Sequence, residues 1–143
     1  MPKPMKQPKK NVLRFKPHNL NLFHRDFFKE WRDILDIMGQ FEHILFVSNP
    51  PYIPSEDIKT LDSSVKDYEP KLALIAGPSG LEFYKRLSLE LPGFLKSLAA
   101  GFFEIGKGQG EALLSLFSDT PWKNCNALKD WSSHDRFFFL EIE

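Results

Sequence analysis

Asn49-Pro50-Pro51-Tyr52 stands directly after an apolar run, His43-Ile44-Leu45-Phe46-Val47. These four residue types suit one task, the holding of a planar NH2 group. The nitrogen of an amide or an exocyclic amino group is a poor nucleophile because its lone pair is delocalised. It reacts when it is held facing an electrophile such as the methyl sulfonium of S-adenosylmethionine. An Asn side-chain oxygen and a backbone carbonyl can each accept one of the two N–H bonds. Proline suits the carbonyl role, since its ring fixes φ and it has no N–H of its own. Tyrosine offers an aromatic face to the planar group. Catalysis of this kind is positioning and electrostatics, with no covalent intermediate. The plainer reading of the same residues is a proline-rich turn that ends a strand.

Two further groups could do chemistry. Glu104-Ile105-Gly106-Lys107-Gly108-Gln109-Gly110 looks, taken alone, like a glycine-rich cofactor loop between a strand and a helix. Glycines let backbone approach a ligand closely, and a helix N-terminus favours an anion. A tight strand-to-helix turn would need the same glycines. Asp26-Phe27 could accept a bond from a cofactor base and stack on it, or Asp26 could cap a helix starting near Phe27. His18, His24, His43 and His134 lie far apart, and with Cys125 as the single cysteine no zinc-ligand spacing arises.

These groups need elements to place them. The run at 43–47 is rich in β-favouring types and reads as a strand buried on both faces, ended by the two prolines. An open α/β sheet binds ligands at the carboxyl ends of its strands, which is where residues 49–52 fall. Residues 19–23 alternate polar and apolar, as a short strand would, and residues 52–79 read as a long functional loop with some helical turns. Apolar spacing predicts a helix over 80–98, kinked or split by Pro92-Gly93. Residues 101–105 read as a second central strand, 111–117 as a short helix, and 137–142 as a final strand in a hairpin with residues near 124–129. The order is that of an α/β fold with an antiparallel end.

The 143 residues suit one domain, and the 42% hydrophobic content includes no stretch of the length needed to span a bilayer. The first ten residues hold four lysines and three prolines with no apolar run after them, which disfavours a secretory signal. A single cysteine fits a reducing, cytoplasmic compartment. Charge balances at 19 basic and 19 acidic residues, but the basic ones crowd the first quarter. That arm has no interleaved aromatics for base stacking, so nucleic acid is a poor match. Pro2, Pro4 and Pro8 make residues 1–10 a poorly ordered, solvated arm in this reading.

From about residue 41 the chain resembles the protein-(glutamine-N5) methyltransferase family that modifies peptide-chain release factors. The resemblance runs through Val47-Ser48-Asn49-Pro50-Pro51-Tyr52-Ile53-Pro54, then Val65, Tyr68-Glu69-Pro70, Ala73-Leu74, Gly77, Gly80-Leu81 and Tyr84. It resumes at Phe103-Glu104-Ile105-Gly106 with Gln109-Gly110 and ends on Asp130 and Asp135-Arg136. Residues from about Asn11 to Phe28 resemble the preceding segment, ending in the family's Asp-aromatic pair at Asp26-Phe27. The resemblance covers the second half of the family's usual length. It implies residues 11–143 as the C-terminal part of a methyltransferase catalytic domain. The fold implied is a partial class I, Rossmann-like sheet ending in an antiparallel hairpin, with the first cofactor-loop strands missing.

The resemblance also implies roles. Asn49 and the Pro50 carbonyl would hold the glutamine amide of a release factor's Gly-Gly-Gln loop, with Pro51 and Tyr52 shaping the pocket. S-adenosylmethionine would lie against Asn49, with Asp26 and Phe27 on its adenine side. Residues 104–110 would be the strand and turn after the substrate loop, rather than the cofactor loop. Two rivals stand beside this reading. One is a permuted nucleic-acid amino-methyltransferase that uses residues 104–110 for the cofactor. The other is a non-catalytic remnant with an unpaired sheet edge, prone to association.

Overall fold

The computed structural model describes residues 6–24, 26–30, 34, 40–62, 70–93, 98–119 and 121–142. The chain divides into two compact units, Met1–Asp36 and Ile37–Glu143.

The first unit differs from the sequence expectation in two places. Lys6–Phe15 forms a helix, α1, that takes in Pro8. Pro8 lies in the first turn, where its missing N–H would have no intrahelical partner, so it costs the helix no hydrogen bond. Leu13 and Phe15 on α1 are exposed, and the Arg14 guanidinium lies 5.2 Å from the Phe15 ring centroid. Residues 20–24 form no strand, and Leu20, Leu22 and Phe23 are exposed. An alternating pattern makes a strand only where a neighbour supplies the ladder, and among the described residues none pairs with this one. Phe27–Glu30 forms a single turn of helix, α2.

The second unit is a mixed four-stranded sheet with helices. Its elements are β1 (His43–Ser48), β2 (Ile53–Pro54), α3 (Lys71–Leu74), β3 (Ile75–Gly77), α4 (Glu82–Glu90), β4 (Leu98–Glu104), α5 (Gly110–Leu116), β5 (Trp122–Lys129) and β6 (Asp135–Ile142). The sheet order is β1-β4-β6-β5, and β2 and β3 form a separate parallel pair. β1 and β4 are parallel, with Ser48 opposite Phe103, while β6 is antiparallel to both β4 and β5. The parallel pair and the terminal hairpin are therefore as expected, and the 52–79 segment gains a small sheet in addition to its helical turns. The expected helix over 80–98 is α-helical only over Glu82–Glu90, and its residues 94–97 lie outside the described residues. Leu91–Gly93 is one 3-10 turn after α4, and Leu98 already belongs to β4. Val65 and Tyr68-Glu69-Pro70 of the expected motif fall largely at 63–69, outside the described residues.

Burial follows the period of each strand. On β6, Phe138, Leu140 and Ile142 point inward, and on β4 Phe103 does. They meet Tyr84 and Leu87 of α4 and Leu113 of α5, all fully buried, together with Phe117 and Trp122. The rings of Phe117 and Phe138 lie 5.4 Å apart and those of Phe46 and Phe103 lie 5.6 Å apart. Filling one face of the sheet with aromatic and branched side chains is the main source of stability here.

β1 corrects the expectation of a strand buried on both faces. Ile44, Phe46 and Ser48 are half-buried, but Leu45 is 64% and Val47 70% exposed. The reason is position. Among the described residues β1 pairs only with β4, so it is an edge strand with one face packed. Phe102, Phe137 and Leu128 are exposed on neighbouring strands as well.

Candidate active site

Three ends of chain converge beyond the carboxyl end of β1. The chain leaves β1 at Ser48, enters Asn49-Pro50-Pro51-Tyr52, and is turned into β2 at Ile53. Pro50 is buried, Pro51 and Tyr52 are half-buried, and Asn49 is exposed. Among the described residues neither the Asn49 side chain nor the Pro50 carbonyl accepts a hydrogen bond. Both groups line a pocket of about 560 Å³ together with Tyr52, Ile53, Leu61, Ala73, Leu74 and Glu104. Asn49 and Glu104 also border a second, smaller pocket of about 220 Å³ with Val47, Ser48, Phe102, Phe103 and Phe137. Of the four expected residues, Asn49, Pro50 and Tyr52 thus share one pocket, and Pro51 does not line it.

Tyr52 is fixed at both ends. Its phenol donates to Glu104 Oε1 at 2.7 Å. Its carbonyl accepts from Gln109 Nε2 at 3.0 Å. Burial and the Glu104 carboxylate push the Tyr52 phenol up to about 12, and Arg136 opposes that shift only in part. At neutral pH the phenol is therefore a hydrogen-bond donor and a wall, and it does not serve as a base. Glu104 sits at the end of β4, where its backbone carbonyl accepts from the Tyr84 hydroxyl at 2.6 Å. Burial pushes the Tyr84 phenol upward as well.

Behind Glu104 the charges continue into the hairpin. Arg136 Nη1 lies 3.7 Å from Glu104 Oε1, and Arg136 Nε lies 3.3 Å from Asp130 Oδ2. Asp130 Oδ1 also accepts from the His134 and Ser132 backbone N–H groups, at 3.1 and 2.9 Å. The His134 amide, then Ser132 and Arg136, hold the Asp130 carboxyl below its ordinary value. The bond to Asp130 raises Arg136 in turn. Asp130 and Asp135-Arg136 close the β5–β6 turn and carry a cation to the back of the site. They belong to the family pattern with no role assigned from the sequence, because the partners of Arg136 and Asp135, Glu104 and Gly110, lie on other elements.

Two backbone donors of the glycine turn at 106–110 are taken by side chains of the protein. Gly106 N–H donates to Gln109 Oε1 at 2.8 Å, and Gly110 N–H donates to Asp135 Oδ2 at 3.1 Å. Backbone donors already bonded within the protein do not cradle a cofactor, so this turn does not fit that use. Gln109 went unremarked in the residue-level reading. The pairing of a glycine turn with an amide side chain is the signal that could have pointed to it.

Asp26 acts as a helix cap. Its Oδ1 accepts from the Phe28 and Lys29 N–H groups, each at 3.2 Å, and Lys29 Nζ lies 3.7 Å from Oδ2. The Phe27 ring meets Phe28 edge-on with centroids 5.1 Å apart. Asp26 and Phe27 belong to the first unit, and the pocket belongs to the second. Among the described residues no cluster of three His, Cys, Asp or Glu could hold a metal ion. No described helix is long and apolar enough to cross a membrane.

No family model matches the chain. Curated relatives do. The chain is 47% identical over 98 residues to a release factor glutamine methyltransferase of Bacillus anthracis, covering 68% of this chain and 35% of that protein. It is 42% identical over 99 residues to the Caulobacter vibrioides protein of the same name, covering 69% and 34%. The match to the Fusobacterium nucleatum protein is 34% identical over 126 residues and covers 88% and 34%. The chain thus spans about a third of the length of the curated relatives it matches. A release-factor-specific protein-(glutamine-N5) methyltransferase from Alicyclobacillus acidocaldarius shows a structural likeness with TM-score 0.40 and 16% identity, covering 86% of this chain and 99% of that one. Likeness at that level bears on neither fold nor function. The sequence matches carry the conclusion: at 34–47% identity, this chain is a relative of the release factor glutamine methyltransferases over their C-terminal region.

Proposed function

We propose that residues 49–52 receive the side-chain amide of the glutamine in the Gly-Gly-Gln motif of peptide-chain release factors, as one part of a cytoplasmic methyltransferase. The carrying observation is the pair of unengaged acceptors, Asn49 Oδ1 and the Pro50 carbonyl, at one pocket beside a fixed aromatic ring. Asn49 Oδ1 and the Pro50 carbonyl each take one N–H of the substrate amide. Two accepted bonds leave that nitrogen one direction in which to face. The Tyr52 ring and Leu74 bound the space.

S-adenosylmethionine, when bound, supplies the methyl group. Asn49 fits its vicinity, because it borders both pockets and so stands between two ligands. Asp26 and Phe27 enter on the adenine side through the family resemblance alone, and the Asp26 carboxylate would have to serve the base while capping α2.

The test uses the 143-residue chain and two peptides, one carrying Gly-Gly-Gln and one carrying Gly-Gly-Glu. Titration followed by NMR should shift the Asn49 side-chain NH2 and Tyr52 resonances with the glutamine peptide and not with the glutamate peptide. Asn49→Ala should weaken binding at least tenfold, the loss of one buried hydrogen bond of about 1.5 kcal/mol. Its melting temperature should change little, because the side chain is exposed. Equal binding of the two peptides, or undiminished binding by Asn49→Ala, overturns the reading.

A further inference from the structure

The amide pocket is built on a loop that two prolines stiffen but do not aim. Its upstream end is held by the β1–β4 ladder, which closes with Ser48 opposite Phe103. Its downstream end has a much shorter ladder, the two-residue β2 against β3, which begins only after Tyr52. At Tyr52 itself the phenol is tied to Glu104, and the backbone is tied by one side chain. Gln109 Nε2 donates to the Tyr52 carbonyl at 3.0 Å and to the Gly80 carbonyl at 3.3 Å, while its Oε1 accepts from Gly106 N–H at 2.8 Å. Three loops that come from distant parts of the chain are tied at a single primary amide.

The space around this amide is closed. A Cβ on Gly80 would lie 2.6 Å from the Tyr52 carbonyl oxygen and 2.9 Å from Gln109 Nε2. A Cβ on Gly106 would lie 3.0 Å from Gln109 Oε1 and 3.2 Å from Tyr52 Cδ2. Glycine at both places lets the three backbones approach closely enough for one side chain to reach all of them. A primary amide is also the neutral group that offers two donors and an acceptor at one tip. A glutamate would turn an oxygen toward two carbonyl oxygens, and a methionine of similar length would bond to none of them.

We propose that Gln109 is a positioning residue of the amide pocket, which it serves by holding the Tyr52 and Gly80 carbonyls and so fixing the direction of Asn49 and Pro50. It rests on the amide-pocket reading above. Gln109 does not line the pocket and acts through the loop. Its loss should therefore damage discrimination between amide and carboxylate more than it damages the fold.

The experiment compares the wild-type chain, Gln109→Glu, Gln109→Met and Lys107→Ala, the last an exposed residue of the same turn that serves as control. Each is titrated with the Gly-Gly-Gln and Gly-Gly-Glu peptides, and amide hydrogen exchange is followed at Gly106. At pH 7 both Gln109 variants should lose at least tenfold of the preference for the glutamine peptide and show fast exchange at Gly106. Gln109→Glu should recover part of its affinity for the glutamine peptide itself below about pH 5, where a protonated carboxyl again donates one bond and accepts another. Lys107→Ala should match the wild type. If Gln109→Glu does not fold at pH 7, Gln109→Met, which introduces no charge, decides. A wild-type chain that binds neither peptide overturns the amide-pocket reading and this proposal with it. A wild-type chain that prefers the glutamine peptide, with either Gln109 variant keeping that preference, overturns this proposal alone.

Discussion

At the scale of single residues, the site depends on acceptors left open and donors used up. Among the described residues Asn49 and Pro50 leave theirs unbonded, while Tyr52, Gln109 and Arg136 spend theirs on the protein. The Tyr52 phenol gives this a measurable signature. In the unfolded chain it titrates near 10.0, and in the fold, through burial and Glu104, near 12. The fold thus favours the neutral phenol. Its contribution to stability is complete below about pH 10 and is lost as pH climbs through about 12. Tyr84 is pushed the same way and adds to the same decline. Melting temperatures between pH 8 and 12 should therefore fall steeply for the wild type and less steeply for Tyr52→Phe. Identical profiles would show that the fold does not hold the Tyr52 phenol in the buried, Glu104-bonded setting described above. Asn49-Pro50-Pro51-Tyr52 could be picked out from residue types as a candidate for holding NH2, because that chemistry is local. Glu104, Gln109 and Arg136 were not, because each takes its meaning from a partner brought by the sheet.

At the scale of elements, periodicity was a good guide wherever a neighbour existed to use it. The hairpin of β5 and β6, the split after α4 and the strand at β4 all follow from apolar spacing and from Pro92-Gly93. Residues 19–23 carry an equally good alternation and make no strand, since pattern alone cannot supply a ladder. The turn into α4 shows the opposite case, where local detail decides. Glu82 Oε1 accepts from both the backbone N–H and the hydroxyl of Ser79, each at 2.9 Å, a pair of bonds that closes the turn before the helix. Burial would raise the Glu82 carboxyl, but these bonds hold it below its ordinary value. Within that turn Gly80 has φ +76° with backbone oxygen where a Cβ would go. Gly80→Ala should destabilise the fold by about 1–3 kcal/mol, read as a lower urea midpoint with an unchanged slope. A midpoint equal to that of the wild type would mean that the turn can relax away from Tyr52.

At the scale of the whole molecule, the second unit packs one face of its sheet and leaves apolar side chains on the other. Leu45, Val47, Phe102 and Phe137 are all more than 40% exposed. β1 also presents a ladder edge that no described strand fills. An edge of this kind pairs with whatever reaches it. Light scattering on the isolated chain should show association that grows with concentration, and Val47→Lys should reduce it without lowering the melting temperature. A wild-type chain that stays monomeric at high concentration would contradict this.

The sheet order β1-β4-β6-β5 has a bearing on time as well as on shape. Synthesis delivers β6 after every other strand, yet β6 takes an inner place between β4 and β5. Until it arrives, β4 has no partner on that side and Glu104 lacks Arg136 behind it. The pocket at Asn49, whose wall includes Glu104, thus takes its final form only after β6, the last described strand, has joined the sheet.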